Sequence, residues 1–143
     1  MAVMREVPRH FFVPAAVAAA AYEDVPLPIG CDKTISQPFM VALMTDLLDA
    51  GPNDHMLEVG TGLGYQTAVL ATLVAYVWSV EIVEEFVESA QQRLKHFAVE
   101  NVSMRVGDGS RGWAEQAGAK EVPTALIAQL KPGGRLVMPF GTR

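Results

Sequence analysis

Apolar residues recur along this chain at two spacings, and the two alternate. Phe39, Met40, Leu43, Met44, Leu47 and Leu48 fall at helical intervals behind Ser36-Gln37-Pro38. Proline in a first turn, with Ser36 or Gln37 ahead of it as cap, predicts a helix start there. The helix runs to about Asp49 and stops at the turn-forming Gly51-Pro52-Asn53-Asp54. His55 to Gly60 then reads as a strand, Tyr65 to Val74 as a helix and Val77 to Ile82 as a second strand. Residues 83–98 carry the clearest amphipathic pattern, with Val83, Phe86, Val87, Ala90, Leu94 and Phe97 on one side. Glu84, Glu85 and Glu88 open that helix and Arg93 and Lys95 close it, which complements its dipole. Val102, Met104 and Val106 alternate with polar residues as a third strand. Pro123 to Leu130 predicts a short helix, Lys131-Pro132-Gly133-Gly134 a turn and Arg135 to Phe140 a fourth strand. Strands alternating with helices predict an α/β fold, a doubly wound parallel sheet with helices on its faces.

The N-terminal part is less regular. Arg5 and Arg9 precede an alanine-rich apolar run from Phe11 to Tyr22. A secretory signal with a small-residue cleavage site near Ala18–Ala20 is one reading. A docking helix of the folded domain is the other, and Glu6, His10 and Pro14 favour it by interrupting the basic and apolar stretches. Pro26, Pro28 and Gly30 predict an irregular segment ending near Lys33. The 143 residues predict one domain, with residues 1–50 as an N-terminal helical segment and 51–143 as the α/β core.

Composition narrows the partners. The formal charge of −5 and pI of about 5.1 speak against a nucleic-acid binder that relies on a broad basic surface. Cys31 is the single cysteine, so no intramolecular disulfide and no cluster of thiolate zinc ligands can form. A partly buried, non-catalytic thiol and a reducing, cytoplasmic setting are the expectation. His10, His55 and His96 lack metal-ligand spacing and read as surface or packing residues, as Trp78 and Trp113 read as packing. No apolar stretch reaches the roughly 18 residues of a membrane-spanning helix.

Candidate chemistry lies in Glu58-Val-Gly60-Thr61-Gly62-Leu-Gly64. Glycines between a strand and a helix let backbone approach a ligand at the carboxyl end of a parallel sheet. Glu81 ends the next strand, where a carboxylate can accept from both hydroxyls of a ribose. Gly107-Asp108-Gly109 follows the third strand, where Asp108 could accept from an adenine amino group. The three features predict a nucleoside ligand across three strand ends. Dinucleotide sites usually carry G-x-G-x-x-G and face pyrophosphate. Here Glu58 closes the first strand facing the ligand region, which suits a cation. S-adenosylmethionine, with an ammonium, a sulfonium and no phosphate, fits better than a dinucleotide.

Six segments then resemble one family: VPRHFFVP (Val7–Pro14), AYEDVPLPIG (Ala21–Gly30), TISQPFMVALMTDLL (Thr34–Leu48), LEVGTGLGYQTAVLA (Leu57–Ala71), GDGSRGW (Gly107–Trp113) and LKPGGRLVMPFG (Leu130–Gly141). Together they are similar to protein-L-isoaspartate O-methyltransferases, and TISQP is far more specific than the glycine turn. The resemblance implies the Rossmann-like fold of class I S-adenosylmethionine-dependent methyltransferases. It implies S-adenosylmethionine as methyl donor, S-adenosylhomocysteine as product and isoaspartyl-containing proteins and peptides as substrates, with residues 1–50 on the substrate side. By match, Ser36 is the active-site serine. Thr34, Ile35, Glu58, Gly60, Thr61, Gly62, Gly64, Glu81, Asp108 and Gly109 are the implied cofactor-binding residues. No nucleic acid, membrane or metal enters the expected chemistry.

Two family segments have no counterpart here. A strand resembling P-F-D-x-I-I-V-T-A is expected after Ala114-Glu-Gln-Ala117, yet the chain continues directly into Gly118. The family's region beyond Arg143 is absent as well. These gaps keep two alternatives open: an incomplete or non-catalytic S-adenosylmethionine-binding module, and a small-molecule methyltransferase on the same scaffold, against which TISQP argues.

Overall fold

The computed structural model describes residues 2–113 and 124–138. Three parallel strands form its centre: β3 (His55–Val59), β4 (Tyr76–Glu81) and β5 (Val102–Val106), side by side in that order. The ladders pair Val59 with Val80 and Glu81 with Val106. In-register parallel pairing brings the three carboxyl ends level, so the glycine turn, Glu81 and Asp108 share one edge of the sheet.

Helix α3 (Tyr65–Ala71) links β3 to β4, and α4 (Glu84–His96) links β4 to β5. Phe86, Val87, Ala90 and Leu94 of α4 are buried, the face that the periodicity predicts. Val69, Val77 and Val80 are fully enclosed at the centre of the core.

The N-terminal run is folded into this body, but not as one helix. Helix α1 spans Val3–Glu6, and tight 3-10 turns follow at Arg9–Phe12 and Ala15–Ala20. Pro14 sits between the turns and cannot donate to a continuous helix. Phe12 has no exposed surface, stacks 5.5 Å from Phe97 and meets Tyr65 edge-on at 5.7 Å.

The segment expected to be irregular is an antiparallel hairpin, β1 (Leu27–Gly30) with β2 (Lys33–Ile35). Leu27 and Ile29 are buried while Pro28 and Gly30 face out, a period of two that four residues show only briefly. Cys31 and Asp32 turn the corner with φ of 50° and 54°, and Cys31 is exposed, not partly buried. Helix α2 (Pro38–Leu48) follows with Gln37 at the cap position. Neither Ser36 nor Gln37 caps it with a side chain. Asp24 does so from across the loop, its Oδ1 accepting the Phe39 N–H at 2.8 Å.

The expected fourth strand is not formed over Arg135–Met138, and its remaining residues, Pro139 and Phe140, lie outside the described ones. Arg135 is held elsewhere: it donates to the Leu47 carbonyl at 3.2 Å and pairs with Asp49 at 2.7 Å. Helix α5 (Thr124–Ala128) matches the expected short helix. The join at Ala117–Gly118 lies outside the described residues. Among the described residues, no strand pairs with the outer edge of β3, and no helix is long and apolar enough to cross a membrane.

Candidate functional site

The turn after β3 is built on left-handed backbone, with φ of +91° at Gly60, +53° at Gly62 and +90° at Gly64. A side chain at any of these three would be strained. Gly60 keeps the ladder going by donating to the Val80 carbonyl at 2.8 Å. A Cβ placed on Gly60 would meet no atom within 4 Å, so open space lies in front of the turn. A Cβ on Gly64 would come within 3.1 Å of the Ala90 Cβ, so glycine there lets α4 pack against the start of α3.

Glu81 is 7% exposed and braces the turn from β4. Its Oε2 accepts the Gly62 N–H at 2.8 Å and its Oε1 the Val83 N–H at 3.0 Å. The carboxylate is thereby held at the lip of the open space, with lone pairs beyond those two bonds. Asp108 stands at the matching end of β5, exposed, its Oδ1 accepting from Ser110 N–H at 3.0 Å to cap a 3-10 turn. Gly109 is buried against β3, and an added Cβ would collide with the Val59 side chain.

Glu58 does not face the ligand region as expected. Its carboxylate is turned under the glycine turn, 7% exposed. There Oε2 accepts from both Thr67 Oγ1 and Ser79 Oγ at 2.5 Å. Ser79 also meets Thr61 Oγ1 at 2.6 Å, so the Thr61 hydroxyl is spent inward as well, leaving its backbone for a ligand. The other Glu58 oxygen, Oε1, is buried without a partner among the described residues. Burial drives the Glu58 pKa up to about 7, the neighbouring Glu81 charge adds to the rise, and the two hydroxyls oppose it.

Ser36 lies between β2 and α2, exposed, and its hydroxyl makes no hydrogen bond among the described residues. Thr34 is exposed in β2 opposite Pro28. The Ile35 side chain belongs to the core, which leaves only its backbone for a ligand. The hairpin touches the glycine turn directly, since a Cβ on Gly62 would lie 3.4 Å from Ile29 Cδ1.

Four residues of the arrangement escaped the sequence reading. Arg9 is 1% exposed, donates from Nε to the Ala21 carbonyl and from Nη2 to the Ser36 carbonyl, both at 2.7 Å, and lies 4.9 Å from the Tyr65 ring centroid. Burial lowers its pKa, while Tyr65 and Asp24 act to raise it. Asp24, Thr67 and Ser79 are the others. Thr67 and Ser79 carried a usable signal, as lone hydroxyls on faces that are otherwise apolar. Asp24 carried none, because the helix it caps begins far along the chain.

Comparison with known proteins shows the family of the chain. The profile of the family described as Protein-L-isoaspartate(D-aspartate) O-methyltransferase (PCMT) matches residues 1–143. Protein-L-isoaspartate O-methyltransferase 2 of Syntrophobacter fumaroxidans is 52% identical over 150 residues, covering 99% of this chain and 61% of that protein. Protein-L-isoaspartate O-methyltransferase 1 of Cupriavidus necator is 52% identical over 152 residues, covering 100% of this chain and 59% of its own length. The 152 aligned positions against 143 residues leave nine that the relative holds and this chain lacks. A solved structure of a protein-L-isoaspartate O-methyltransferase superposes with a TM-score of 0.80 at 30% identity, covering 93% of this chain and 47% of that one. The chain therefore spans about three fifths of the length of these curated relatives, and its fold is the Rossmann-like one of S-adenosylmethionine-dependent methyltransferases.

Proposed function

Because the chain belongs to the protein-L-isoaspartate(D-aspartate) O-methyltransferase family, we propose that it binds S-adenosylmethionine and directs its methyl group to the free α-carboxylate of L-isoaspartyl residues. The observation that carries this reading is the buried Glu81 carboxylate fastened to Gly62 N–H beside open space at Gly60. A carboxylate so placed suits the two hydroxyls of a ribose. S-adenosylmethionine supplies an electrophilic methyl on a positively charged sulfur. Gly60, Gly62 and Gly64 let the backbone of the turn approach it. Asp108 offers an acceptor for the adenine amino group, and Gly109 keeps that strand end close to β3. Thr34, Ile35 and Thr61 contribute backbone, and the Glu58 charge acts from beneath the turn, favouring a cationic ligand.

The acceptor needs little help. An isoaspartyl residue continues the chain through its side-chain carbonyl and leaves its α-carboxylate free, with a pKa of roughly 3.5 like a terminal carboxyl. It is ionised at neutral pH, so no general base is required. Ser36 then donates a hydrogen bond that orients one carboxylate oxygen, in the role of a guide and not of a nucleophile. Alignment of two reactants can supply roughly 7–11 kcal/mol of the barrier. The following backbone nitrogen would attack the methyl ester, expel methanol and close a succinimide, and addition of water would reopen the ring in part as normal aspartate, which is the repair. Damaged proteins and peptides in a cytoplasmic setting are the partners this reading expects.

A paired assay tests it: methyl transfer to an isoaspartyl peptide and to its normal aspartyl twin. Labelling of the isoaspartyl peptide alone, lost in Ser36→Ala, is the expected result. Equal labelling of both would sink the assignment, and an unchanged S-adenosylmethionine affinity in Glu81→Ala would remove the ribose role. The nine absent positions favour one second reading, a binding module without turnover, which predicts cofactor binding and no labelled peptide.

A further inference from the structure

Arg9 is a full charge, 1% exposed, that meets no carboxylate among the described residues. Asp24 acts on it from beyond contact distance, and the cost of burial outweighs that attraction. A strut between two backbone carbonyls could be made from a neutral donor. The guanidinium reaches Ala21 O and Ser36 O at 2.7 Å each, while its Nη1 has no partner among the described residues. The Tyr65 ring against which it lies opens α3, directly after Gly64. Arg9 therefore touches the peptide of the substrate-orienting serine on one side and the helix behind the glycine turn on the other.

We propose that Arg9 is a positioning residue for methyl transfer. It fixes the Ser36 peptide against the start of α3, and so sets the distance between the Ser36 hydroxyl and the methyl donor. Its charge, only partly offset by Asp24 and one residue's backbone away from that hydroxyl, favours an anionic acceptor. The proposal rests on the methyltransferase reading above. Its two parts separate kinetically: geometry governs kcat, and charge governs the KM of the anionic peptide.

The experiment compares Arg9→Lys and Arg9→Gln in the full chain, with isoaspartyl peptide turnover and S-adenosylhomocysteine affinity by calorimetry. Lysine keeps the charge but lacks the planar fork that spans two carbonyls. A misplacement near 1 Å lowers the rate by up to about 100-fold. Both variants are therefore expected to lose kcat while the S-adenosylhomocysteine Kd holds, and only Arg9→Gln raises the peptide KM. Wild-type kcat in both variants overturns the proposal. So does a loss of S-adenosylhomocysteine affinity in step with kcat, which marks a mere scaffold. If the Arg9 variants do not fold, Tyr65→Leu removes the ring beneath the guanidinium and is read in the same way: reduced kcat with intact Kd supports the proposal, unchanged kcat overturns it. A wild-type chain that binds S-adenosylhomocysteine but labels no peptide overturns this proposal and the Ser36 role together, and leaves the cofactor site standing.

Discussion

Replacing Glu58 by glutamine should change how the stability of this fold depends on pH. The carboxyl is buried, two hydroxyls point at one oxygen, and the other oxygen has no partner among the described residues. Its pKa stands at about 7 in the fold against an ordinary 4.5. Between those values the folded state binds a proton that the unfolded state has released. Stability therefore falls as pH rises through that window, and the loss is complete above the folded pKa. A shift of that size amounts to about 3 kcal/mol. Glutamine keeps an oxygen for Thr67 and Ser79 but cannot ionise. Whatever its amide costs at the orphaned position, it costs the same at every pH. Urea unfolding of wild type and Glu58→Gln at pH 4.5, 6, 7 and 8 isolates the group, because every other titration cancels in the difference. The variant should gain about 3 kcal/mol relative to wild type across that range, or about 10 °C in Tm for a chain of this length. Parallel stability curves would show that Glu58 is ionised in the fold without penalty, and the account of its burial would be wrong.

With S-adenosylmethionine seated at the glycine turn as proposed, its positive charge above the same carboxyl should move the wild-type loss of stability to lower pH; a melting profile whose midpoint in pH does not move would count against Glu58 acting on the ligand. Ser79→Ala removes one of the two donors and isolates Thr61, and should cost about 1–3 kcal/mol at pH 8 and less at pH 5, where the acid is neutral; an equal cost at both would show that the Ser79 hydroxyl does not stabilise the Glu58 charge. Gly109→Ala forces a methyl into Val59 and should destabilise by about 1–3 kcal/mol, with Val59→Ala restoring part of it in a double-mutant melt. Asp24→Ala should cost about 1 kcal/mol through the lost cap of α2 while Ser36→Ala leaves Tm unchanged, and the reverse order would return the capping role to Ser36.

Much of this site was legible because parallel α/β topology is written in local patterns. The helical face of α4 and the alternation in β5 place their elements to within a residue or two, and short crossovers then force Glu81 and Asp108 to one edge. What failed to show was long-range. The hairpin at Leu27–Ile35 is too short for periodicity and is interrupted by Pro28, which is tolerated only because β1 is an edge strand. The N-terminal run has helical composition, yet Pro14 and the burial of Phe12 against Phe97 break it into tight turns. Arg135–Met138 has strand-forming residues, but strand pairing needs a neighbour, and Arg135 is drawn to Leu47 and Asp49. Glu58 was identified by position, but its burial was not legible, because the hydroxyls that take its carboxylate come from α3 and β4, 9 and 21 residues along the chain.

The distribution of buried polar groups bears on why this arrangement exists. Among the described residues the buried polar or charged side chains are Arg9, Thr45, Glu58, Thr61, Thr67, Ser79 and Glu81. All but Thr45 gather around the glycine turn or the Ser36 peptide, and Thr45 itself takes a hydrogen bond from Gln66 of α3. A core chosen for stability alone would fill these positions with apolar residues, because an unpaired Arg9 nitrogen and an orphaned Glu58 oxygen each lower the stability of the fold. The buried charges are also segregated: Arg9 backs Ser36, with the exposed Asp24 nearby, and Glu58 and Glu81 back the glycine turn. Under the function proposed above, that polarity suits an anionic acceptor on one side and a cationic methyl donor on the other. The cost in stability is concentrated around the glycine turn and the Ser36 peptide, where the proposed reaction between opposite charges would need it.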